Sequence, residues 1–157
     1  PPERKYGSKT SLQSCRVLHE TGLGDEVLMI IGFTCSVFDL LHAGHVAMLR
    51  EASDQCDWLI CGLQVSGVKK PVQTLVERYT QLQAVKYVDE IIPYETEEDL
   101  EDILKMYSID IRILGEEYRY KKFTGKDMRG IKLYFNKREH RFSSTSLKRR
   151  VFDSTPK

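Results

Sequence analysis

The sequence predicts an α/β fold, in which an open parallel sheet of about five strands carries helices on both faces. Two observations lead to this prediction. Short apolar runs of strand length alternate along the chain with segments of helical periodicity, a pattern typical of strand–helix–strand units. The first run, EVLMIIGF over residues 26–33, is apolar almost throughout, which indicates a strand buried on both faces of the sheet.

The strands are predicted from the apolar runs and the helices from the segments between them. The predicted strands cover residues 26–33, 57–65, 89–94, 110–115 and 130–136. Pro93 is expected to stop the third strand because proline cannot donate a ladder hydrogen bond. The predicted helices begin at Ala43 and cover 73–88, 96–108 and 143–152. Thr96 is expected to cap the third helix, and the acidic residues that follow favour its positive end.

Length and composition point to one globular domain. The chain has 157 residues and a net charge of +1, which gives no general attraction to nucleic acid or anionic membranes. We predict a polar N-terminal extension over residues 1–25 and a single domain over 26–157. No apolar run approaches the ~20 residues of a membrane span, and the N-terminus lacks the apolar core of a signal peptide. The missing initial Met suggests a processed or excised chain.

The four cysteines are predicted to be reduced, buried thiols of a cytoplasmic protein. None of Cys15, Cys35, Cys56 and Cys61 forms a C-x-x-C pair, and no His/Cys group has the spacing of a zinc site. A chain of this size with an ordinary core does not need disulfides.

Four unusual segments follow predicted strands. HAGH comes after the first, a loop with Lys69 and Lys70 after the second, residues 115–126 after the fourth and 136–146 after the fifth. In an open parallel sheet, ligands bind beyond the carboxyl ends of the strands. The sequence therefore predicts a ligand site at this edge of a Rossmann-like sheet.

The residues of these segments suit a polyphosphate. His42 and His45 lie on one face of a helix start, where free N–H groups attract anions, and Gly44 leaves room for close approach. Ser143, Ser144, Thr145 and Ser146 open another helix and form a second anion cradle. Arg138 can bind phosphate through a bidentate fork, and Lys69 and Lys70 supply mobile charges. No metal site is predicted, because no third ligand accompanies the two histidines.

The segments contain no obvious nucleophile–base pair, which fits attack by a phosphate. A phosphomonoester is largely dianionic at pH 7, with a second pKa of ~6, so its oxygen needs no base. The protein then has to position two anions and neutralise the charge that develops on the phosphorus and the leaving pyrophosphate.

Three motifs resemble those of one superfamily. FDLLHAGH is similar to the H-x-G-H signature of nucleotidyltransferases, VERYTQLQAVKYVDEIIP to the ER…YVDEVIP segment of cytidylyltransferases, and REHRFSST stands where they have RTEGIST. The resemblance covers roughly residues 27–152, and within the superfamily the sequence resembles the glycerol-3-phosphate cytidylyltransferases. It implies CTP, Mg²⁺ with the triphosphate, a small phosphorylated or phosphonate acceptor and a homodimer.

The resemblance also implies roles for individual residues. His42 and His45 would stabilise the transition state, with Lys69, Lys70 and Arg138 as further catalytic cations. The implied nucleotide contacts are Val37, Phe38, His42, Gly44, His45, Gly115, Arg138, Glu139, Phe142, Ser143, Ser144 and Thr145. The implied acceptor contacts are Asp39, Lys69, Lys70 and Arg78.

The sequence departs from the family pattern at several positions. Ser36 and Val37 replace the Gly-Thr of GTFD, and Arg141 replaces the Gly of RTEGIST. Residues 95–99 are acidic where glycerol-phosphate enzymes have lysines. An adenylyltransferase that acts on a sugar phosphate and a non-catalytic nucleotide-binding module therefore remain alternatives. The basic residues Arg141, Lys148, Arg149 and Arg150 are interpreted mainly as a solvated helix face, and a nucleic-acid-binding function has little support.

Overall fold

The computed structural model describes residues 29–67 and 70–155. In these ranges the strands are β1 (Ile31–Ser36), β2 (Trp58–Gln64), β3 (Glu90–Tyr94), β4 (Ile111–Gly115) and β5 (Lys132–Asn136). The helices are α1 (Ala43–Ser53), α2 (Leu75–Gln83), α3 (Glu97–Met106) and α4 (Ser144–Ser154), with a short 3-10 turn at Glu116–Tyr118.

The strands form one parallel sheet in the order β3-β2-β1-β4-β5. The chain builds outward from β1 to β3 and then returns to place β4 on the other side of β1. This reversal leaves a crevice at the carboxyl ends of β1 and β4. The predicted Rossmann-like α/β sheet is confirmed.

Each face of the sheet has its own hydrophobic core. On one face, Phe33 and Ile60 pack with Leu100 and Leu104 of α3. On the other face, Leu59 packs with residues of α1 and α2 such as Leu49 and Leu82. Helices therefore cover both faces, as predicted.

The first strand lies later in the chain than predicted. The prediction covered residues 26–33, of which 26–28 are outside the described residues, and the observed strand runs from Ile31 to Ser36. The sequence pattern did not show this extension because Thr34 is polar, although Thr34 is only 2% exposed in the structure. Thr34, Cys35 and Ser36 stay in the strand because they pair in register with β2.

The second helix is shorter than its periodicity predicted. It covers Leu75–Gln83 rather than 73–88, and the hydroxyl of Thr74 caps its start by accepting a hydrogen bond from the Glu77 N–H at 3.3 Å. After Ala84 the chain continues in tight turns that carry Val85 and Val88 into the core. Buried apolar residues therefore continue beyond the end of the helix, which is why the periodicity predicted a longer one.

Two other local predictions can be compared with the structure. Thr96 caps α3 by accepting a hydrogen bond from the Asp99 N–H at 3.0 Å, as predicted. Pro93 does not stop β3: it lies inside the strand, paired with Leu63. Proline is tolerated there because β3 is an edge strand.

The described cysteines are less deeply buried than predicted. Cys35, Cys56 and Cys61 form no disulfide with one another; Cys61 is fully buried, whereas Cys35 and Cys56 are half-buried. Cys15 lies outside the described residues. Among the helices described, none combines the length and the apolar character needed to cross a bilayer.

Candidate active site

A cavity of about 260 Å³ opens where the sheet order reverses. It is lined by eight of the residues predicted to bind the nucleotide: His42, Gly44, His45, Gly115, Arg138, Phe142, Ser143 and Ser144. They come from the segments after β1, β4 and β5. The structure thus brings three of the four predicted segments together at the carboxyl edge of the sheet, and the loop with Lys69 and Lys70 contributes no described residue to this wall.

The loop before α1 has a strained backbone that hydrogen bonds to the segment before α2 hold in place. Phe38 and Leu40 have φ values of 50° and 52°, which cost roughly 1–3 kcal/mol each for bulky residues. The Leu40 N–H donates to the Gln73 side chain at 2.7 Å. The Asp39 carboxylate accepts hydrogen bonds from the N–H groups of Val72 and Gln73, both at 3.0 Å. These bonds fix the approach to the helix that carries the histidines.

His42 connects the starts of α1 and α4. Its Nδ1 accepts a hydrogen bond from the Gly44 N–H at 3.0 Å, so the neutral ring carries its proton on Nε2. That nitrogen lies 3.2 Å from the Ser144 hydroxyl oxygen, which is 3.4 Å from the Asp39 carbonyl. In this chain of bonds, His42 donates to Ser144 and Ser144 donates to Asp39.

His45 has the same tautomer for a similar reason. Its Nδ1 lies 3.4 Å from the His42 N–H, which donates to it, so the proton of the neutral ring is on Nε2. The ring stacks on His42 with centroids 4.0 Å apart, and the edge of Phe38 packs against it at 5.5 Å. Phe38 is only 1% exposed, so its side chain supports His45 from within the core.

Both histidines are neutral at pH 7. Burial lowers the pKa of His45 to about 4, with a further contribution from His42 that exceeds the opposing effect of Asp39. Burial also lowers the pKa of His42, and the nearby His140 and Arg138 act in the same direction. The two rings therefore act as N–H donors rather than as cations.

Gly44 allows two imidazoles to lie against the helix start. A Cβ atom at this position would be 2.8 Å from Cε1 of His42 and 2.9 Å from Cε1 of His140. Any larger residue would displace one of these rings.

The structure also places residues in the cavity that the sequence did not single out. They include Glu51, Glu116, Glu117, Asn136 and His140. Asn136 is 5% exposed; its amide nitrogen lies 3.4 Å from the Met48 carbonyl. Within the described residues, Asn136 Oδ1 and His140 Nδ1 are buried without a hydrogen-bond partner, which is uncommon for buried polar atoms. The position of Asn136, at the end of a strand, was the signal that could have revealed it.

Arg78 holds the ends of two strands. It is 2% exposed, and its Nη1 donates to the carbonyls of Val37 at 2.8 Å and Gln64 at 2.7 Å. Its Nη2 donates to the Val65 carbonyl at 2.7 Å. That Arg78 binds the acceptor stays a prediction.

Six other predicted residues are not part of the cavity wall. Val37, Phe38, Asp39, Lys70, Glu139 and Thr145 do not line it. The Asp39 carboxylate, whose pKa is lowered by its hydrogen bonds to Gln73 and Val72 against the opposing effect of burial, also pairs with Lys148 at 3.3 Å. Lys69 lies outside the described residues.

No group of three His, Cys, Asp or Glu side chains in the described ranges is arranged to hold a metal ion.

Curated proteins of similar sequence include the bifunctional protein HldE of several bacteria. The chain is 34% identical over 105 residues to the bifunctional protein HldE of Caulobacter vibrioides, covering 62% of this chain and 22% of that protein. It is 30% identical over 129 residues to HldE of Granulibacter bethesdensis, covering 78% of this chain and 26% of that protein. The chain thus spans about a quarter or less of the length of these relatives.

Solved structures share the fold. A lipopolysaccharide core biosynthesis protein from Thermoplasma volcanium is 28% identical with a TM-score of 0.53, covering 61% of this chain and 80% of that one. A candidate nicotinate-nucleotide adenylyltransferase from Vibrio parahaemolyticus has a TM-score of 0.56 over 82% of this chain and 90% of that one. At 14% identity, the second likeness concerns the fold alone.

The family assignment rests on a match that covers most of the chain. The sequence model of the cytidylyltransferase-like family matches residues 33–155, from β1 to the end of α4. This range includes the paired histidines, the crevice between β1 and β4 and the serines that cap α4. The chain therefore belongs to the cytidylyltransferase-like family of the nucleotidyltransferase superfamily.

Proposed function

We propose that the protein is a cytidylyltransferase that joins CMP from CTP to a small phosphorylated alcohol and releases pyrophosphate. The observation that carries this proposal is the stacked pair His42 and His45, whose backbone bonds leave each Nε2–H as the donor. The start of α4 meets His42 through Ser144. Two helix starts and two imidazoles thus lie side by side, an arrangement that favours a phosphate.

The reaction follows from these donors. A phosphate oxygen of the acceptor forms a bond to the α-phosphorus, and the bond from that phosphorus to the oxygen bridging to the β-phosphate breaks. The bond's electron pair leaves with pyrophosphate. The Nε2–H of His45 hydrogen-bonds to an oxygen where negative charge accumulates, and the Nε2–H of His42 does so once it leaves the Ser144 hydroxyl. One such donor contributes roughly 3–4 kcal/mol in other enzymes. The acceptor dianion needs no general base.

The cavity supports a base that carries an amino group. Asn136 lines the cavity, and its buried Oδ1 has no hydrogen-bond partner among the described residues. A rotation of this side chain would present the oxygen to the exocyclic amine that cytosine and adenine both carry. The family resemblance favours cytosine. The same carbonyl serves adenine, so an adenylyltransferase that uses a sugar phosphate is the second candidate.

The proposal also includes a metal ion, the contacts of the acceptor and a second copy of the chain. Mg²⁺ would arrive with the triphosphate; it binds chiefly phosphate oxygens, waters and one or two carboxylates, and Glu116 and Glu117 offer carboxylates on the cavity wall. The ion would neutralise phosphate charge. Lys69, Lys70, Asp39 and Arg78 would contact the acceptor, with glycerol 3-phosphate as the first compound to test. We further propose a cytoplasmic homodimer that binds neither nucleic acid nor membranes.

Pyrophosphate release with Mg²⁺ tests the proposal. CTP and ATP are each combined with glycerol 3-phosphate, phosphocholine, phosphoethanolamine, sugar phosphates and hydroxyalkyl phosphonates, and reactions without acceptor serve as controls. We expect acceptor-dependent release with CTP. Release only with ATP and a sugar phosphate would replace this proposal with the second candidate. Nucleotide binding with no release from any pair would indicate a binding module instead.

A further inference from the structure

One face of α1 forms a wall of the 260 Å³ cavity from the start of the helix to its last turn. Gly44, Ala47, Met48 and Glu51 all line the cavity, and residues three and four apart lie on one side of a helix. Glu51 is seven residues beyond Gly44, which is about 10 Å along the helix axis. This is comparable with the length of a nucleoside monophosphate, so a nucleotide with its phosphate at the helix start reaches Glu51 with its base.

The two ends of this wall differ in chemistry. The N–H donors of the backbone and of the two imidazoles lie at the start of α1. Ala47 and Met48 make the middle of the wall apolar, and Glu51 places a carboxylate at the far end. An apolar wall with a few polar groups at fixed positions is typical of small-molecule sites. Here the apolar part suits the face of a base, and the carboxylate suits a donor on the edge of that base.

The Glu51 carboxylate is held in place from outside its own helix. Its Oε1 accepts hydrogen bonds from the Tyr134 hydroxyl and from the Lys137 N–H, both at 2.9 Å. Burial raises the pKa of Tyr134, and the bond to Glu51 acts in the same direction, so the hydroxyl keeps its proton and donates it. Glu51 lies in the last turn of α1, where the helix dipole disfavours a carboxylate. Contacts with β5 and the residue after it therefore fix a charge that the helix itself does not favour.

The neighbouring Asn136 cannot select a base by itself. Its side chain carries both an acceptor and a donor, so a rotation lets it pair with the amine of cytosine or with the carbonyl that uracil has at the same position. An ionised carboxylate has acceptors only. A base carbonyl placed against Glu51 would leave two acceptors facing each other without a proton between them, which is unfavourable away from water.

We propose that Glu51 selects the base, by accepting a hydrogen bond from the exocyclic amine of cytosine or adenine and by excluding bases that carry a carbonyl at that position. The excluded bases are uracil, hypoxanthine and guanine. This inference rests on the proposed nucleotide site and names the chemical class of base that the site accepts. It applies to the cytidylyltransferase and to the second candidate alike, because both use a base with an amine.

Calorimetric titration tests this role with nucleoside monophosphates that carry either an amine or a carbonyl at this position. The pairs are CMP with UMP and AMP with IMP. For the pair that contains its preferred nucleotide, we expect wild type to bind the amine-bearing member at least about tenfold more tightly. In Glu51→Gln this ratio should fall to within about threefold, because an amide donates as well as accepts. The amine-bearing nucleotide should bind more weakly than to wild type, and its carbonyl counterpart more tightly.

Asp54→Asn is the matched control. Asp54 lies at the end of α1 and its charge also acts on Tyr134, but it does not line the cavity. Its ratio should stay within about twofold of wild type. A wild-type ratio in Glu51→Gln would overturn the inference, as would an equal loss of both nucleotides of the pair. Wild-type protein that does not discriminate within either pair, or that binds none of the four nucleotides, would also overturn it.

These outcomes are separable from the proposed function. Base-selective binding that depends on Glu51, without turnover on any acceptor, would support the inference and count against the transferase. Pyrophosphate release with the same preference for CTP over UTP in wild type and in Glu51→Gln would do the reverse. Thermal unfolding of both variants confirms that a change in binding is not a loss of fold.

Discussion

The backbone around the paired histidines determines which nitrogen of each ring faces the ligand. One nitrogen of each imidazole is occupied by a backbone N–H within the same helix start. The proton of each neutral ring is therefore on Nε2, where that of His42 donates to the Ser144 hydroxyl. A neutral donor fits a site where Arg138 and other cations already supply positive charge.

Removing one of these rings should stop the chemistry and spare the fold. We expect His45→Ala to lower kcat for pyrophosphate release at least about 100-fold, because a preorganised donor to the transition state is lost. Val46→Ala, at a neighbouring residue that is 37% exposed, should remain active. Turnover of His45→Ala within a few-fold of wild type would contradict the assigned role. Circular dichroism of both variants checks the fold.

The depressed pKa of His45 predicts a pH dependence of stability. Above pH 6.5, the ring is neutral in the folded and unfolded chain. Between pH 6.5 and about 4, the unfolded chain binds a proton that the folded protein excludes, so the free energy of unfolding falls as the pH is lowered. We expect a loss of about 2 kcal/mol from this residue.

Urea unfolding at pH 7.0, 5.5 and 4.5 measures this dependence. As the pH is lowered, the free energy of unfolding should fall less steeply in His45→Gln than in wild type. It should still fall, because the pKa of His42 is also lowered in the folded protein. Identical slopes in the two proteins would show that His45 titrates normally in the folded state.

At the scale of elements, one side chain of α2 ties together the carboxyl ends of β1 and β2. We expect Arg78→Met to reduce the free energy of unfolding by about 2–4 kcal/mol, because three carbonyls lose a charged donor. Arg50→Met, at an exposed arginine in the last turn of α1, should change it by less than about 0.5 kcal/mol.

The same pair of variants separates two roles for Arg78. If Arg78→Met unfolds like Arg50→Met while the KM for the acceptor rises, Arg78 contacts the acceptor as the family resemblance implies. A loss of stability identifies it as the link between the strands.

The elements predicted from local pattern were largely found, and the errors came from tertiary contacts. Thr96 could be recognised as a cap because its partner, Asp99, is three residues away. The polar end of β1 and the turns after α2 are set by pairing and burial, which local periodicity does not encode. In the site, too, local motifs were found and long-range contacts were missed. Asn136 contacts a carbonyl 88 residues earlier in the chain, and no local motif reveals such a contact.

At the scale of the whole molecule, the site joins elements of unequal stability. β1 and β2 lie inside the sheet, whereas α4 has no buried residue. Helices without a buried apolar face open readily, since packing supplies most helical stability in proteins. The contacts from Ser144 and Lys148 to the loop before α1 are therefore important for holding α4 in place.

Hydrogen exchange followed by mass spectrometry tests this difference. We expect amides of α4 to exchange faster than those of α1 in the free protein, and saturating CTP to slow exchange in α4 most. A ligand at 100 times its Kd stabilises the bound form by about 2.7 kcal/mol. Equal protection of the two helices, unchanged by nucleotide, would contradict this account.

The proline within β3 restricts how two copies of the chain can associate. Pro93 lies in an edge strand and has no N–H to offer outward. A second sheet aligned along β3 would meet a gap in its ladder, so this edge is a poor template for continuing the sheet from one molecule to the next. We therefore expect the proposed homodimer to form through side-chain packing elsewhere, and the outer edge of β3 to protect the protein from edge-to-edge aggregation.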